Sequence, residues 1–562
     1  MRLPGRECFS GRHLLVGIAL GCTMLLLVGL ALDLRWRRGA AGKPSLPISV
    51  SAETTRITGP LRADGYVDFV AALNAEQSAG VQPENNAAVA LLEVTGPGRI
   101  ERKLRDEFFA QLGIPAMPAL GSYLRPRAEF EAYGQTEDAE ADDTSGELDT
   151  AADDQADSGP LDAGSAPLEQ MDLGGEEMSA LDGPWSAAQY PRLAAWLAAN
   201  EAALDRAVAA SRKAQWYSPQ VRQRVIWSTS PQVGDVDRVT RQLAARAMLR
   251  THDGNFEGAW QDLLACHRFG RLVAQGPLVH DWFVGTRTDL IACQLDRLLV
   301  YHGQLSATRL RSMHAELAAL PPWGALADRI DRGERFSFLE LAAAIAADGP
   351  MAIRTVDSYG SHFHEQASLW QRSLNGLGDA ATDWNAAARL SNQYFDRTVA
   401  ALRQPDASLR NLMLSQIDAE LGANQWLALP EWSAWRRPRQ ELGNRAGLAM
   451  CGLLLPRSRI LLRHESRALA LFEITRLSFA LAAFRADHGH YPASLTDLVP
   501  RAIGALPSDP FTDRPFVYRR TLDGYLLYSV GANGVDEQGP TTTLRGSAAG
   551  DDLGSRVPPP SP

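Results

Sequence analysis

The chain has 562 residues, a length that exceeds one ordinary domain and predicts about three folded units. With 45% hydrophobic and 22% charged residues it has the composition of a globular protein, which excludes a fibrous or wholly disordered chain. Its formal net charge of -10, with no basic cluster interleaved with aromatic residues, excludes nucleic acid as an expected partner.

The first predicted element is an apolar segment at residues 14–32, LLVGIALGCTMLLLVGLAL. It carries no charge and approaches the ~20 residues that cross the hydrocarbon core of a bilayer. Because the run continues into Asp33 and Arg35 without a small-residue cleavage site, we expect an uncleaved transmembrane helix behind a cytoplasmic leader at 1–13. The sequence thus predicts a single-pass protein of the bacterial inner membrane. Residues 14–32 are expected to contact the lipid bilayer, and the bulk of the chain is expected to be extracytoplasmic.

Three segments of different composition follow the apolar run. Residues 33–59 are rich in Pro, Ser and Thr and are predicted to be a tether, whereas residues 60–133 space their apolar residues as in a small helical segment. Residues 134–183 contain 16 Asp and Glu but no Lys or Arg. Repulsion between these charges and the shortage of core-forming residues predict a disordered acidic insertion.

Residues 184–445 are predicted to form a helical domain, which is expected to bind protein partners. Its strongest unit is a helix over 241–251, a break at Asp253 and Gly254, and a second helix that carries Trp260. The small-residue turn and the large apolar residues resemble a tetratricopeptide-like hairpin. The pattern of this hairpin does not recur along the sequence at a fixed period, so it does not establish an array of repeats.

The last folded region is predicted at 446–539, ahead of a flexible tail at 540–562. A pattern of helical apolar spacing ends at Gly489 and Pro492, residues that typically terminate a helix. Two runs of alternating residues follow, at 515–520 and 524–530. They predict a hairpin that packs against the helix, and the expected fold is therefore a small α+β module. The chain as a whole is expected to be mainly α.

An ordered series of short motifs in this region resembles the soluble module of type II secretion major pseudopilins. The motifs are DHGHYP at 487–492, DPF at 509–511, FVY at 516–518, YLLYSV at 525–530 and GANG at 531–534. The resemblance implies an α+β module of the pseudopilin kind. The long chain ahead of it and the absence of a prepilin cleavage motif imply that this protein does not polymerise as a pilin.

The whole arrangement resembles a group of large bacterial membrane-anchored proteins of unknown function. The segments that carry this resemblance are YVDFVAALN at 66–74 and PENNAA at 83–88, together with the C-terminal module. The resemblance covers most of the chain and implies no activity.

The resemblance to pseudopilins also implies a Ca²⁺ site in the loop after the final strand. The oxygen ligands expected here come from the Val530 carbonyl and the side chains of Asn533, Asp536, Asp551 and Asp552. Ca²⁺ takes six to eight oxygen ligands, and a Gly-rich loop lets several of them converge. Asn533 stands where the resembled loops carry Asp, and an insertion at 540–550 separates the acids. No other cofactor is expected.

No motif indicates an enzyme, since the usual sequence patterns of hydrolases, zinc proteases and nucleotide-binding proteins are absent. Three sets of residues resemble catalytic or metal sites: Asp357 with His362, His364 and Glu365; Glu334 with Glu340; and His488 with His490. Alternate histidines share a face only in a strand, and six residues is a poor spacing for facing carboxylates on a helix. A solvated loop is therefore favoured for the first set, and a structural or solvent role for Glu334 and Glu340. The resemblance to pseudopilins implies a chain reversal at His488 and His490.

Two function classes follow from these observations. The favoured one is a scaffold or interaction protein of the cell envelope, related to secretion or envelope assembly. The alternative is an uncharacterised extracytoplasmic hydrolase. A pocket that joins the histidine cluster at 357–365 to Glu334 or Glu340 would favour the hydrolase.

Overall fold

The computed structural model describes residues 46–130, 173–221, 231–348, 382–424, 438–539 and 551–559. Within those ranges the chain is mainly helical, as predicted, with one small sheet. The helices are α1 (Phe69–Gln77), α2 (Ala87–Thr95), α3 (Arg105–Leu112), α4 (Leu173–Ala180), α5 (Pro191–Ala199), α6 (Glu201–Ala210), α7 (Pro231–His252), α8 (Phe256–Val273), α9 (Val279–His302), α10 (Ala307–Ala318), α11 (Leu326–Arg329), α12 (Arg335–Asp348), α13 (Trp384–Leu402), α14 (Ala407–Asn424), α15 (Arg439–Leu454) and α16 (Ser458–His488). A π-helix (Ile330–Glu334) joins α11 to α12, and the strands are β1 (Val517–Arg520), β2 (Tyr525–Ser529) and β3 (Leu553–Val557).

The tether predicted at 33–59 is corrected over its described part, which packs on helix α13. Ile48 is fully buried in the main hydrophobic core. Asn392 of α13 donates its side-chain Nδ2 to the backbone carbonyl oxygens of Glu53, at 2.9 Å, and Thr54, at 3.1 Å. A side chain of the helical body thus supplies hydrogen bonds to backbone carbonyl oxygens of this segment. These bonds explain how the segment is ordered without regular secondary structure.

The C-terminal end of the predicted acidic insertion, 134–183, is also folded. Helix α4 lies there, with Leu173 and Ala180 buried in the main core. The buried carboxylate of Glu176 accepts the Leu193 backbone N–H, at 2.8 Å, in the first turn of α5. An acid at this position stabilises the helix N-terminus, so part of the acidic character is structural. Most of the rest of the insertion lies outside the described residues.

In the central body α7 packs on α8 and α8 packs on α9, and the hairpin of α7 and α8 matches the predicted one. Helices α7 and α8 are joined by a short turn in which Gly254 has φ +79°. Helix α9 then crosses α8 closely, because a Cβ at Gly270 would meet the Gly285 carbonyl oxygen and a Cβ at Gly285 would meet that of Gly270. This close approach brings polar side chains of α8 and α9 into one buried layer.

The predicted domain boundary between residues 445 and 446 does not coincide with a change of core. Helix α15 continues through it, and Ala446, Met450 and Cys451 are buried in the same core as the earlier helices. The short apolar run at 446–455 therefore belongs to the helical body.

Helix α16 is shared by two hydrophobic cores. Ala468, Phe472, Phe479 and Ala483 belong to the core of the helical body. Ala470, Ile474, Leu477 and Leu481 belong to a second core with the C-terminal sheet. The first series has spacings of four and seven residues and the second has spacings of three and four, and the two are offset by two residues. This offset places them on opposite faces of one helix.

The C-terminal module consists of α16 and an antiparallel sheet of order β1-β2-β3. Its hairpin lies where the alternating pattern predicts it, and α16 ends at Gly489, which has φ +78°. The flexible tail predicted at 540–562 is corrected in part, because β3 pairs with β2 from Leu553 opposite Ser529 to Val557 opposite Tyr525. A short strand interrupted by Gly554 and followed by prolines gives a weak sequence signal.

The prediction of a single-pass membrane protein is corrected: no helix within the described ranges is long and apolar enough to cross a bilayer. Residues 14–32, on which the prediction rests, lie outside the described residues.

Helix α4 provides a test of the folded end of the acidic segment. Changing Leu173→Ala should lower the free energy of unfolding by about 2 to 5 kcal/mol, because it removes a fully buried side chain. Met178→Ala is the matched control on the same helix, since Met178 is 40% exposed and its loss should cost about 0.5 kcal/mol or less. Urea unfolding curves measure both; equal stability of the two variants would show that α4 does not pack.

Candidate functional site

A polar cleft lies between the end of α1, the turn at 275–278 before α9, and the π-helix. It has a volume of about 310 Å³. This is the lower end of the size range of small-molecule sites. Its charged lining residues are Glu76, Asp328, Arg329 and Arg332. A π-helix is an uncommon element that frequently marks a functional site, and here it supplies Arg332.

A much smaller inner chamber adjoins this cleft. The two cavities share Gln77, Gly276 and Pro277 as lining residues, and the inner one has a volume of about 10 Å³, room for one water-sized group. Asp281 and Gln220 also line the inner chamber. Among the described residues, neither Asp281 Oδ1 nor Gln220 Nε2 has a hydrogen-bond partner, although both atoms are buried.

Two glycines allow the walls of the cleft to meet. A Cβ at Gly276 would collide with the Asp281 carboxylate, and a Cβ at Gly333 in the π-helix would collide with the Pro277 carbonyl oxygen. A larger residue at Gly276 would push the 275–278 turn away from Asp281 of α9, and one at Gly333 would push the turn away from the π-helix. The turn, which lines both cavities through Gly276 and Pro277, is thus held closely on two sides.

Two carboxylates of the cleft region hold the N-terminus of α9. Asp281 Oδ2 accepts the Leu278 backbone N–H at 3.2 Å, and Glu334 Oε1 accepts the Val279 backbone N–H at 2.9 Å. Burial raises the pKa of Asp281 to about 7, and burial of the Glu334 carboxyl likewise raises its pKa to about 7, although the Glu334 residue as a whole is partly exposed. Neither carboxylate has a direct cationic partner among the described residues.

The two arginines of the cleft differ in their contacts. Arg329 donates Nη2 to the Ala274 carbonyl oxygen at 2.6 Å, while its Nε is buried without a partner among the described residues. Burial lowers the pKa of the Arg329 guanidinium, against the opposing attraction of nearby acids that include Asp281. Arg332 forms an ion pair with Glu76 at the cleft rim. The rim charges are thus satisfied, whereas the interior keeps unpaired polar atoms.

The structure separates two of the residues that the sequence analysis compared with an acid pair. Glu334 caps α9, whereas Glu340 is 6% exposed and pairs with Arg62 at 2.6 Å. Asp357, His362, His364 and Glu365 lie outside the described residues. His488 and His490 flank the Gly489 turn, and both direct Nδ1 to a nearby backbone carbonyl oxygen. Those bonds fit the expected chain reversal.

Sequence reasoning missed Asp281 and Gln220, the polar residues of the inner chamber. Asp281 is the third residue of helix α9, a position at which an acid commonly caps the helix. That pattern alone predicts a cap and not a cavity. Gln220 lies in an irregular segment, and no spacing connects it to Asp281.

The predicted Ca²⁺ ligands lie in one loop region. Asp551 Oδ2 accepts the backbone N–H groups of Ala532 and Asn533, at 2.8 and 3.0 Å, and the Asn533 side-chain oxygen accepts that of Val535 at 2.7 Å. Asp552 Oδ2 accepts the Gly539 N–H at 2.8 Å. The loop is thus closed by its own hydrogen bonds.

Two further acids complete the description of this loop. Asp536 accepts the Tyr528 hydroxyl at 2.7 Å and pairs with Arg519, away from Asp551. Glu537, which the sequence analysis did not single out, accepts the Asn533 amide at 2.6 Å and the Asp551 N–H at 3.2 Å. Val530 directly follows strand β2. The Ca²⁺ site stays a prediction.

A buried ionic network lies between α8 and α9. His267 Nε2 lies 2.8 Å from Asp296 Oδ2, its Nδ1 contacts Asp289 Oδ1, and Arg271 Nε lies 2.7 Å from Asp289 Oδ2. Burial opposes the charged imidazole, but Asp296 and Asp289 outweigh it and raise the pKa of His267 to about 9.

This network also contains the one grouping in the described ranges whose donor atoms lie close enough for a metal ion, His267 with Asp289 and Cys293. A metal ligand needs a neutral imidazole nitrogen, whereas both nitrogens of this raised-pKa ring face carboxylates. Burial also raises the pKa of Cys293, which opposes the thiolate that a metal requires. The geometry favours an ionic core layer.

Comparison with known proteins gives no relative: no family model, no curated protein and no solved structure matches this chain.

The His267 network predicts a pH dependence of stability. Since the folded-state pKa of about 9 exceeds the unfolded value near 6.5, its stabilising contribution is complete below pH ~6.5 and is lost as the pH rises through ~9. His267→Gln should remove up to about 1.4 kcal/mol per pH unit from the slope between those values. His302→Gln, an exposed change on α9, is the control. Identical slopes for all three proteins in urea titrations would refute the network.

The predicted Ca²⁺ site is tested on the full chain. Roughly 10 mM Ca²⁺ should raise the melting temperature by a few degrees, because extracellular sites bind at about 10⁻⁴ to 10⁻³ M. The double change Asp551→Asn, Asp552→Asn should abolish that rise, while Asp523→Asn in the β1–β2 turn should preserve it. Equal melting with Ca²⁺, Mg²⁺ and chelator would contradict the site.

Proposed function

We propose that the chain is an interaction protein of the bacterial cell envelope, in which the helical body holds the C-terminal module rigidly for a protein partner. The observation that carries this proposal is the double use of α16 by two cores. Because α16 belongs to both cores, the position of the helical body fixes the position of the C-terminal module.

Polar contacts along α16 support a rigid connection. Thr475 donates its hydroxyl to the Cys293 carbonyl oxygen of α9 at 3.1 Å, and Arg297 of α9 donates to the Thr475 hydroxyl oxygen at 3.0 Å. Trp260 of α8 packs edge-on against Phe479, with ring centroids 5.5 Å apart. Buried hydrogen bonds of this kind specify one register of α16 against the body.

The resemblance of the module to major pseudopilins suggests the kind of partner. An assembly for secretion or envelope construction is the natural class, with an extracytoplasmic location for the chain. The resemblance of α7 and α8 to a tetratricopeptide-like hairpin adds a second surface for protein binding to the proposal. The hydrolase stays the alternative proposal, because the 357–365 cluster that a hydrolase pocket would join to Glu334 or Glu340 lies outside the described residues.

Site-specific photo-crosslinking in a bacterial host that carries the native envelope tests the proposal. A photo-reactive residue at Leu522, which is 98% exposed at the tip of the β1–β2 hairpin, should give one discrete adduct with an envelope protein. The same residue at Leu120, 90% exposed in the N-terminal helical part, is the matched control and should give no such adduct. Adducts that are absent at Leu522, or identical at both positions, would contradict the proposal.

A further inference from the structure

We propose that the first turns of α16 dock on the surface of an anionic phospholipid bilayer, with a stripe of arginines directed to the phosphates and Ile460 directed to the acyl chains. This contact lies on the membrane surface and does not require a helix that crosses the bilayer. The stripe precedes the part of α16 that packs with the sheet. The proposal therefore stands independently of a protein partner for the C-terminal module.

The arginine stripe consists of Arg459, Arg463 and Arg467, which are exposed and recur every fourth residue of α16. A helix turns roughly 100° per residue, so the three side chains leave the helix within roughly 80° of one another. Leu462 and Ala468, which are buried in the main core, lie outside that arc. The helical body thus holds α16 by other faces and leaves this one basic and open to solvent.

The guanidinium groups of the stripe keep their charge available. Within the described ranges, none of the three forms an ion pair or a hydrogen bond. Asp418 attracts Arg459 and Asp551 attracts Arg467, each from beyond ion-pair distance. By contrast, the exposed Arg403 pairs with an aspartate of a neighbouring helix at 2.8 Å. Unpaired positive charge on one helix face complements a surface of anionic head groups.

Apolar side chains beside the stripe distinguish a bilayer from a soluble anion. Ile460 is 59% exposed and lies roughly 20° beyond Arg467 around the helix. Leu409 and Leu412 are 43% and 53% exposed on α14, which packs on α16. An exposed aliphatic side chain gains free energy at the boundary between head groups and acyl chains. A free phosphate or an acidic protein would engage the arginines but would leave the apolar side chains in water.

The spread of the stripe along α16 sets the orientation of the docked helix. Arg459 and Arg467 are separated by roughly 12 Å along the axis, at 1.5 Å per residue. A helix that presents basic and apolar side chains along its length lies in the plane of the interface. Because α16 also packs with the C-terminal sheet, docking holds the module close to the membrane surface.

Photo-crosslinking of the full chain to vesicles of defined composition tests the proposal. A photo-reactive residue in place of Ile460 should form lipid adducts in phosphatidylcholine vesicles that contain roughly 30% phosphatidylglycerol, and at least about fivefold fewer in phosphatidylcholine alone. Mass spectrometry of the labelled peptide measures the yield. Leu120, which is 90% exposed in the N-terminal helical part, is the control position and should form few adducts in either vesicle.

Variants of the stripe identify the groups that recognise the lipid. The double change Arg459→Gln, Arg463→Gln should lower the adduct yield at Ile460 about tenfold or more, because each arginine near an anionic surface contributes roughly fivefold in affinity. Arg501→Gln with Arg520→Gln is the matched control, since it removes the same charge from exposed arginines of the C-terminal module. It should change the yield less than about twofold. All four positions are exposed, so both variants should melt close to the natural chain.

Three results would overturn the proposal. Equal yields in anionic and neutral vesicles would show that the contact does not recognise charge. An unchanged yield in the Arg459→Gln, Arg463→Gln variant would show that the stripe does not contribute. Adducts at Ile460 with polypeptide in place of lipid, including the acidic segment 134–183 of the chain itself, would assign the stripe to an acidic protein partner.

Discussion

The architecture depends on one constraint, which is that helix α16 must bury two opposite faces at once. A helix turns roughly 100° per residue, so two series offset by two residues lie roughly 200° apart. Phe472 and Phe479 pack in the core of the helical body on one face, and Ile474 and Leu477 pack in the core with the sheet on the other. A rotation of α16 about its axis would expose one series without improving the other, so the two cores fix its orientation together.

The polar layer beneath α16 reinforces that orientation. The guanidinium of Arg271 lies 3.8 Å from the ring centroid of Trp323 and 4.4 Å from that of Phe472 of α16. The same side chain pairs with Asp289 in the His267 network. Burying charges is costly, so a buried network of this kind is weak evidence for stability. Here the charged layer of α8 and α9 couples directly to the apolar face of α16.

The sequence predicts elements well where one periodicity dominates. The hairpin at Asp253 and Gly254, the end of α16 at Gly489 and the β1–β2 pair all follow from local signals that the structure matches. The prediction from sequence fails where a segment is ordered by contacts with residues far away in the chain. Ile48 and Leu173 occupy segments whose composition predicts a tether and a disordered insertion, yet both are buried against helices far along the chain.

The same limit explains why the sequence does not predict the two buried faces of α16 or the residues of the cleft. The sequence predicts helical apolar spacing in α16 without dividing it between two faces, yet Phe472 faces one core and Leu477 and Leu481 face the other. Asp281 and Gln220 come from distant parts of the chain and line the same chamber, where Gly276 leaves room for the Asp281 carboxylate. A site built by tertiary packing of isolated residues leaves no spacing that a sequence pattern can detect.

Asp281 and Asp296 show how the same group acquires different roles. Both are buried carboxylates of α9, and burial raises the pKa of each. Asp296 faces the imidazole of His267 at 2.8 Å, so its charge is compensated inside the protein. Asp281 accepts only the Leu278 backbone N–H on Oδ2, and its Oδ1 is buried without a partner among the described residues. The compensated carboxylate fits a structural role, because nothing more can approach it. Asp281 instead caps α9, where the partial positive charge of the helix N-terminus favours a carboxylate.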